Sequence, residues 1–140
     1  MAKYVKRKPH FTVNDVALSA YIRSDDVAFA VDAVDSTTSD NTATERVYLP
    51  GLKGTTMSFT FAQDFTAAKV DATLWAIWDG DAAVTFIYKP DGDTTAVTNP
   101  KFTGSCILTD YQVSSGSIGS LAEITANFTV STAVERATSD

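Results

Sequence analysis

Apolar and polar residues alternate with a period of two in several short segments, and this pattern predicts β-strands. The clearest example is residues 55–61, where Met57, Phe59 and Phe61 face one way and Thr or Ser residues face the other. Such a segment is typical of a half-buried strand with one wetter face. Similar runs predict further strands at residues 11–13, 26–34, 83–89, 102–113 and 122–131. Turn residues between these runs indicate a mainly β, antiparallel domain.

The hydrophobic period changes to that of a helix in residues 67–78. Its apolar stripe, spaced i, i+4, i+7 and i+8, consists of Val70, Leu74, Ile77 and Trp78. We expect one flanking α-helix whose stripe packs on the sheet, with Thr66 as the N-cap and Gly80 just beyond the end. Trp75 lies off the stripe, and is either a subunit contact or the edge of the core.

A long polar segment, residues 35–45, separates two predicted strands and has no apolar anchor other than alanine. We expect an exposed loop over about residues 35–49. The sequence LPGLKG then predicts a tight turn, because Pro50 fixes φ while Gly51 and Gly54 permit a path that other residues disfavour. This turn is expected to end the loop and to start the next strand in a fixed register.

Charge is distributed unevenly along the 140 residues, which suit a single domain. The first eight residues contain four Lys or Arg residues and no acid, whereas the remaining chain has 7 basic and 17 acidic residues, a net charge of −10. We expect a basic flexible arm over residues 1–10 and one β domain over residues 11–140. An acidic body disfavours nucleic-acid binding, because that binding depends on Lys and Arg. The arm could contact an acidic partner or DNA, or could be a solubilising tail.

Side chains typical of catalysis or metal binding are scarce. The one cysteine, Cys106, excludes an internal disulfide and is interpreted as a small core residue, and the one histidine, His10, as a surface residue. The Asp-Gly-Asp units at residues 79–81 and 91–93 are interpreted as turns, because the further oxygen ligands of a calcium loop are missing. We therefore predict no enzyme activity, no metal and no cofactor. No apolar run is long enough for a membrane span, and no signal-peptide core follows the basic start.

The order of four segments resembles the major tail tube protein of long-tailed bacteriophages. These are VNDVALSAYIRS (residues 13–24), RVYLPGLKGTTMSFTFAQDF (46–65), AAKVDATLWAIWDG (67–80) and NPKFTGSCILTDYQVSSGSIGSLAEITANFTVS (99–131). The resemblance spans about residues 11–137. The basic stretch before Phe11 is not part of it.

This resemblance implies a β-sandwich or barrel-like subunit with a flanking helix. Six subunits would close into a ring by joining their sheets edge to edge, and rings would stack into a tube that conducts DNA at infection. An acidic channel wall would let DNA pass without binding it. The implied partners are further copies of the chain, the tape measure protein and other tail proteins. The implied location is the virion tail, after synthesis in the host cytoplasm.

In this family the long loop commonly reaches between subunits and rings. The expected contact residues are Asp35, Ser36, Asp40, Asn41, Glu45, Arg46, Tyr48, Leu49 and Trp75, with Pro50, Gly51 and Gly54 as the structural turn. One alternative is a monomeric carbohydrate-binding module that uses Trp75, Trp78 or Tyr88 as a stacking platform. Another is a different tail component, such as a terminator or the inner tube of an injection machine.

Overall fold

The structure, a computed structural model, describes residues 4–39 and 44–139. Within these residues, eight strands form one antiparallel sheet, accompanied by a short 3-10 turn and a single α-helix. The strands are β1 (His10–Val13), β2 (Val16–Ala17), β3 (Ile22–Asp35), β4 (Tyr48–Ala62), β5 (Val84–Lys89), β6 (Lys101–Tyr111), β7 (Glu123–Val130) and β8 (Glu135–Ala137), and the helix is α1 (Val70–Asp79). The predicted fold class, mainly antiparallel β with one helix, is confirmed.

The sheet curls until its two ends approach each other. Its strand order is β2-β1-β5-β6-β7-β4-β3, with β8 paired to β6. Phe11 on β1 nevertheless stacks on Phe59 of β4, with ring centroids 4.0 Å apart. Tyr88 on β5 donates a 2.6 Å hydrogen bond to Asp25 on β3. These contacts between distant strands give the barrel-like form that the resemblance implied.

One face of the curled sheet encloses the core. The alternation of buried Met57, Phe59 and Phe61 with more exposed neighbours along β4 confirms the predicted half-buried strand. The helix closes this core by packing against β6. Cys106 is buried on β6, as predicted, and burial raises the pKa of its thiol to about 12.

The helix differs from its prediction at its start and on one side. It begins at Val70 rather than residue 67, because Ala68 has a left-handed backbone (φ 62°) that interrupts helical geometry, so Thr66 is not the N-cap. Gly80 follows the end, as predicted. Trp78 is half exposed, and the prediction that it belongs to the buried stripe is wrong. The buried residues are Val70, Thr73, Leu74 and Ile77, and Trp78 lies about 90° around the helix from the centre of that face.

The predicted turn at Pro50, Gly51 and Gly54 is also wrong, because β4 runs continuously through all three residues. Pro50 is accommodated because this part of β4 pairs only with β3 in the described part of the chain. A strand with one free edge tolerates the missing N–H of proline.

The LPGLKG segment instead contains a β-bulge. Val31 pairs with Lys53 and Ala33 with Pro50, so two residues of β4 oppose Asp32 alone. One of the two is Gly51. A Cβ atom there would lie 2.8 Å from Cγ2 of Val34 and 3.2 Å from Cβ of Asp32. Glycine is therefore required for close approach of the two strands at the bulge.

The described residues of the basic arm lie against the domain. The Asp25 carboxylate is fully buried and contacts the Lys6 ammonium with one oxygen, while the other accepts the Tyr88 hydroxyl. Lys6 also donates to the Asp25 carbonyl oxygen at 2.9 Å, and Tyr4 donates to the Pro90 carbonyl oxygen at 2.5 Å. Burial and the hydrogen bond to Asp25 raise the pKa of Tyr88, which keeps this hydroxyl a donor. Lys6 thus binds the basic arm to the buried Asp25 carboxylate.

We expect Lys6→Ala to lower the free energy of unfolding by about 1–3 kcal/mol, because a buried carboxylate loses its cationic partner. Lys8→Ala is the matched control from the same arm. Its pair with Asp93 is exposed on both sides, so the expected loss is at most about 1 kcal/mol. Urea unfolding of both variants checks the difference, and equal losses would contradict the role given to Lys6.

Candidate assembly surfaces

Strands β3 and β4 extend beyond the rest of the sheet as a two-stranded projection. Strand β7 pairs with β4 only from Thr56 to Ala62. Residues 28–35 and 48–55 therefore pair mainly with each other, and we call them, with the residues that connect them, the hairpin arm. An isolated two-stranded hairpin is marginally stable in water, so a long hairpin arm is typical of a segment that a partner covers.

The surface of the hairpin arm is unusually apolar. Leu52 is 82% exposed, and roughly half of each further apolar side chain is accessible. These further residues are Phe29, Val31, Val34, Val47, Tyr48 and Leu49. Exposed apolar side chains concentrated on one segment in this way favour an interaction site. The hairpin arm is therefore the strongest candidate for a protein contact.

Polar contacts hold the strand ends together near the tip of the hairpin arm. Arg46 Nη1 lies 3.0 Å from Asp35 Oδ2, and the Ser36 amide donates to the Val47 carbonyl at 2.8 Å. A hydrogen bond from the Thr37 amide lowers the pKa of Asp35, so this exposed carboxylate is ionised at neutral pH. These contacts hold the two ends of the segment 35–47 together.

The predicted contact residues fall into two groups. Asp35, Ser36, Arg46, Tyr48 and Leu49 come together on the hairpin arm, with Asp35, Tyr48 and Leu49 in strands rather than in the predicted loop. Trp75 lies instead on the outer side of α1, half exposed and 5.2 Å from the ring of Trp78.

Other predicted residues lie elsewhere or outside the structure. Glu45 is exposed near the tip of the hairpin arm. Asp40 and Asn41 lie outside the described residues. Tyr88, named for a carbohydrate platform, is wrong for that role because it is buried and bonded to Asp25.

One edge of the sheet is long and lacks a neighbour. Strand β3 has 14 residues and pairs with β4 alone among the described strands. At about 3.3 Å per residue, its other edge is roughly 45 Å long. The Lys6 ammonium binds one backbone group of β3, the Asp25 carbonyl oxygen. Such an edge is a template for strand pairing with another chain.

The outward face of the central strands is polar and acidic. Ser24, Thr60 and Thr125 stand side by side across β3, β4 and β7, and Asp26, Ser58 and Asn127 form the next row. We call the outward side of β3, β4, β7 and β6 the polar face. Exposed Asp26 and Asp110 carry negative charge there, while Glu123 is paired with Arg23 at 3.2 Å. The Asn127 amide donates to Asp110 at 3.2 Å, and neither Asp26 nor Asp110 forms an ion pair with the residues that the structure describes. Their negative charge makes the polar face a surface that repels anions.

Sequence reasoning missed several residues of these surfaces. Phe29 and Val31 were placed on a strand but not recognised as exposed, because alternation alone does not tell a strand within a sheet from a protruding hairpin. The buried position of Asp25 was also missed. Asp25 lies two residues before Val27 and four before Phe29, so the three side chains are on the same side of β3. This alternation was the signal that could have indicated its position.

The described part of the chain contains neither a cluster of metal ligands nor a membrane-spanning helix. Among residues 4–39 and 44–139, no three His, Cys, Asp or Glu side chains cluster as metal ligands would. The helix in this part of the chain is too short and too polar to cross a membrane.

Comparison with solved structures identifies the class of fold: it is the fold of chains from phage tails and phage-like particles. No family model and no curated protein matches the sequence. A chain in the virion of a native gene transfer agent particle matches with a TM-score of 0.77 at 16% identity, over 96% of this chain and 98% of that chain.

Two further structures match almost as well. A chain of the tail of an empty gene transfer agent particle, refined with C6 symmetry, matches with a TM-score of 0.68 at 17% identity, over 82% of this chain and 81% of that chain. The SPP1 tail tube chain matches with a TM-score of 0.71 at 14% identity, over 95% of this chain and 77% of that chain. At these identities the likeness shows a shared fold.

Proposed function

We propose that this chain is a structural virion protein that assembles into sixfold rings, which stack into the tube of a phage-type tail. The observation that carries the proposal is the hairpin arm, a long projection whose apolar side chains are largely exposed. The fold supports it, because the matched chains come from tails, one of them refined with sixfold symmetry.

Ring closure is assigned to the free edge of β3. Joining this edge to the sheet of the next subunit would satisfy its backbone groups and would continue one sheet around the ring. The contact is heterologous, because different edges meet, and six equal rotations close it. The ring thus removes the exposed edge that a monomer leaves open.

The hairpin arm is assigned to contacts with neighbouring subunits and rings. Residues Tyr48, Leu49 and Leu52 supply the apolar area of the contact, and the Asp35–Arg46 pair fixes the end of the projection. Asp40, Asn41 and Glu45 belong to the same proposed contact. Trp75 would meet a neighbour at a separate place, on the outer side of α1.

The polar face is assigned to the channel. Asp26 and Asp110 repeat six times in each ring under this arrangement, and repel the phosphates of passing DNA. The channel wall then acts without binding DNA, and without catalytic residues or a cofactor. The tape measure protein would occupy this channel before DNA enters, and other tail proteins would contact the tube ends.

Sedimentation velocity over a concentration series, with electron microscopy of the same samples, tests the proposal. We expect concentration-dependent rings with sixfold end-on averages and open-ended tubes. A tail terminator would give single closed rings instead. A protein that stays monomeric at every concentration, with and without pre-formed tube seeds, would contradict the proposal.

A further inference from the structure

A fully exposed apolar side chain stands at the end of the sheet opposite the hairpin arm. Ile118 lies at the tip of the loop between β6 and β7, residues 112–122, and its side chain is completely accessible. Leu121 in the same loop is 56% exposed. We call this loop the knob loop. Two exposed apolar side chains on one short loop favour a contact with a partner.

The knob loop is held in shape at its base. The Gln63 amide donates to the Ala122 carbonyl at 3.0 Å, and the Gln63 side chain donates to the Val113 carbonyl at 2.5 Å. Gly116 and Gly119 have φ of 123° and 94°, which glycine adopts without strain. A loop fixed in this way loses little conformational entropy when it binds.

An apolar groove of about 730 Å³ lies at the other end of the same strands. One wall belongs to the hairpin arm (Phe29, Val31 and neighbouring residues), and the other is the segment from Val130 to Val134. The knob loop leads into the start of β7, and the groove lies at the end of β7. The two are therefore about 23 Å apart along the strand direction. The knob loop and the groove therefore face in opposite directions along the strands.

We propose that the knob loop of one subunit inserts Ile118 and Leu121 into this groove of a second copy of the chain. Both surfaces belong to the same chain and lie at opposite ends, so the contact is head to tail and repeats without closing. The charges agree with it: the one charged residue among those lining the groove is Lys53, and the acidic residue Asp64 directly follows Gln63, which holds the base of the knob loop.

The small size of the contact explains why it suits stacking rings. Two apolar side chains bury far less than the roughly 1,000 Å² of a stable pairwise interface. Single subunits would therefore not polymerise through it. Six equivalent contacts between two rings would reinforce one another, because the first contacts raise the effective concentration for the rest. The inference rests on the proposed ring.

Two substitutions test the contact in assembled protein. Ile118→Asp changes a fully exposed side chain, so the fold and the rings should be unaffected while the mean tube length in electron micrographs falls at least tenfold. Val97→Asp, at a residue 75% exposed in a different loop, is the matched control and should leave tube length unchanged. Tubes of normal length from Ile118→Asp would overturn the inference. Loss of tubes in Val31→Asp but not in Ile118→Asp would also overturn it, because another segment would then fill the groove.

A cross-linking experiment separates this inference from the proposed function. Ile118→Cys protein is mixed with Val31→Cys protein and treated with a short bis-maleimide, while buried Cys106 stays unreactive. Cross-linked dimers that form only in the mixture, under conditions that give tubes, support the knob-in-groove contact. Wild-type tubes without this cross-link leave the proposed function standing and overturn the contact. Absence of both tubes and cross-link overturns both.

Discussion

Gly51→Val is expected to abolish tube formation while the subunit stays folded and soluble. A valine Cβ at this position would meet Cγ2 of Val34 at 2.8 Å and the backbone oxygen of Asp32 at 3.3 Å. The strands must separate at the bulge to relieve these contacts, which displaces the hairpin arm beyond it. The core lies outside the hairpin arm, so the free energy of unfolding should fall by no more than about 1–2 kcal/mol.

Gly54→Val is the matched control for this prediction. It adds the same side chain three residues along β4, at a position where an added Cβ meets nothing within 4 Å. Because Gly54 also lines the groove, the comparison is made on ring formation, and this variant should form rings like the parent, as measured by sedimentation and end-on electron micrographs. Normal assembly of Gly51→Val, or equal failure of both variants, would show that the shape of the bulge does not matter for assembly.

Phe59→Ala is expected to lower the free energy of unfolding by about 3–5 kcal/mol. The Phe59 ring is fully buried and packs against Phe11, Phe61 and Phe128 across the curled sheet. Its removal leaves a cavity between strands that are distant in the strand order. In a domain of ordinary stability, this change removes a large part of the total free energy of unfolding. Denaturant unfolding measures the loss.

Phe29→Ala separates packing inside the subunit from contacts between subunits. Phe29 is 55% exposed and contacts Phe102 at a ring distance of 5.5 Å, so the expected loss of stability is about 1 kcal/mol. Because Phe29 also lines the groove, assembly should suffer more than stability. Similar stability losses in Phe59→Ala and Phe29→Ala would contradict the division between core and hairpin arm.

The sequence was most informative where a residue's neighbours along the chain decide its environment. The alternation through Met57, Phe59 and Phe61 identified a core strand, and Gly80 identified the helix end. At LPGLKG the local reasoning failed. Pro and Gly favour turns in general, but here the free edge of β4 tolerates Pro50, and the bulge opposite Asp32 requires Gly51. Both reasons depend on strand pairing that no local pattern reveals.

The candidate surfaces were only partly predictable for the same reason. The polar end of the hairpin arm was located from composition, since a Ser-, Thr- and Asp-rich segment is exposed. The apolar flanks were not, because Val31 and Leu52 have the same pattern as core residues. Their exposure follows from where β7 stops pairing with β4, which is a property of the whole sheet.

A cryo-electron microscopy reconstruction of the assembled protein is the most direct test of the central claim. We predict sixfold rings in an open-ended stack, with β3 paired to a neighbouring subunit and with Asp26 and Asp110 facing the channel. A protein that forms no rings even with seeds would contradict the claim. A ring that places the polar face outward, with the β3 edge unpaired, would contradict it equally.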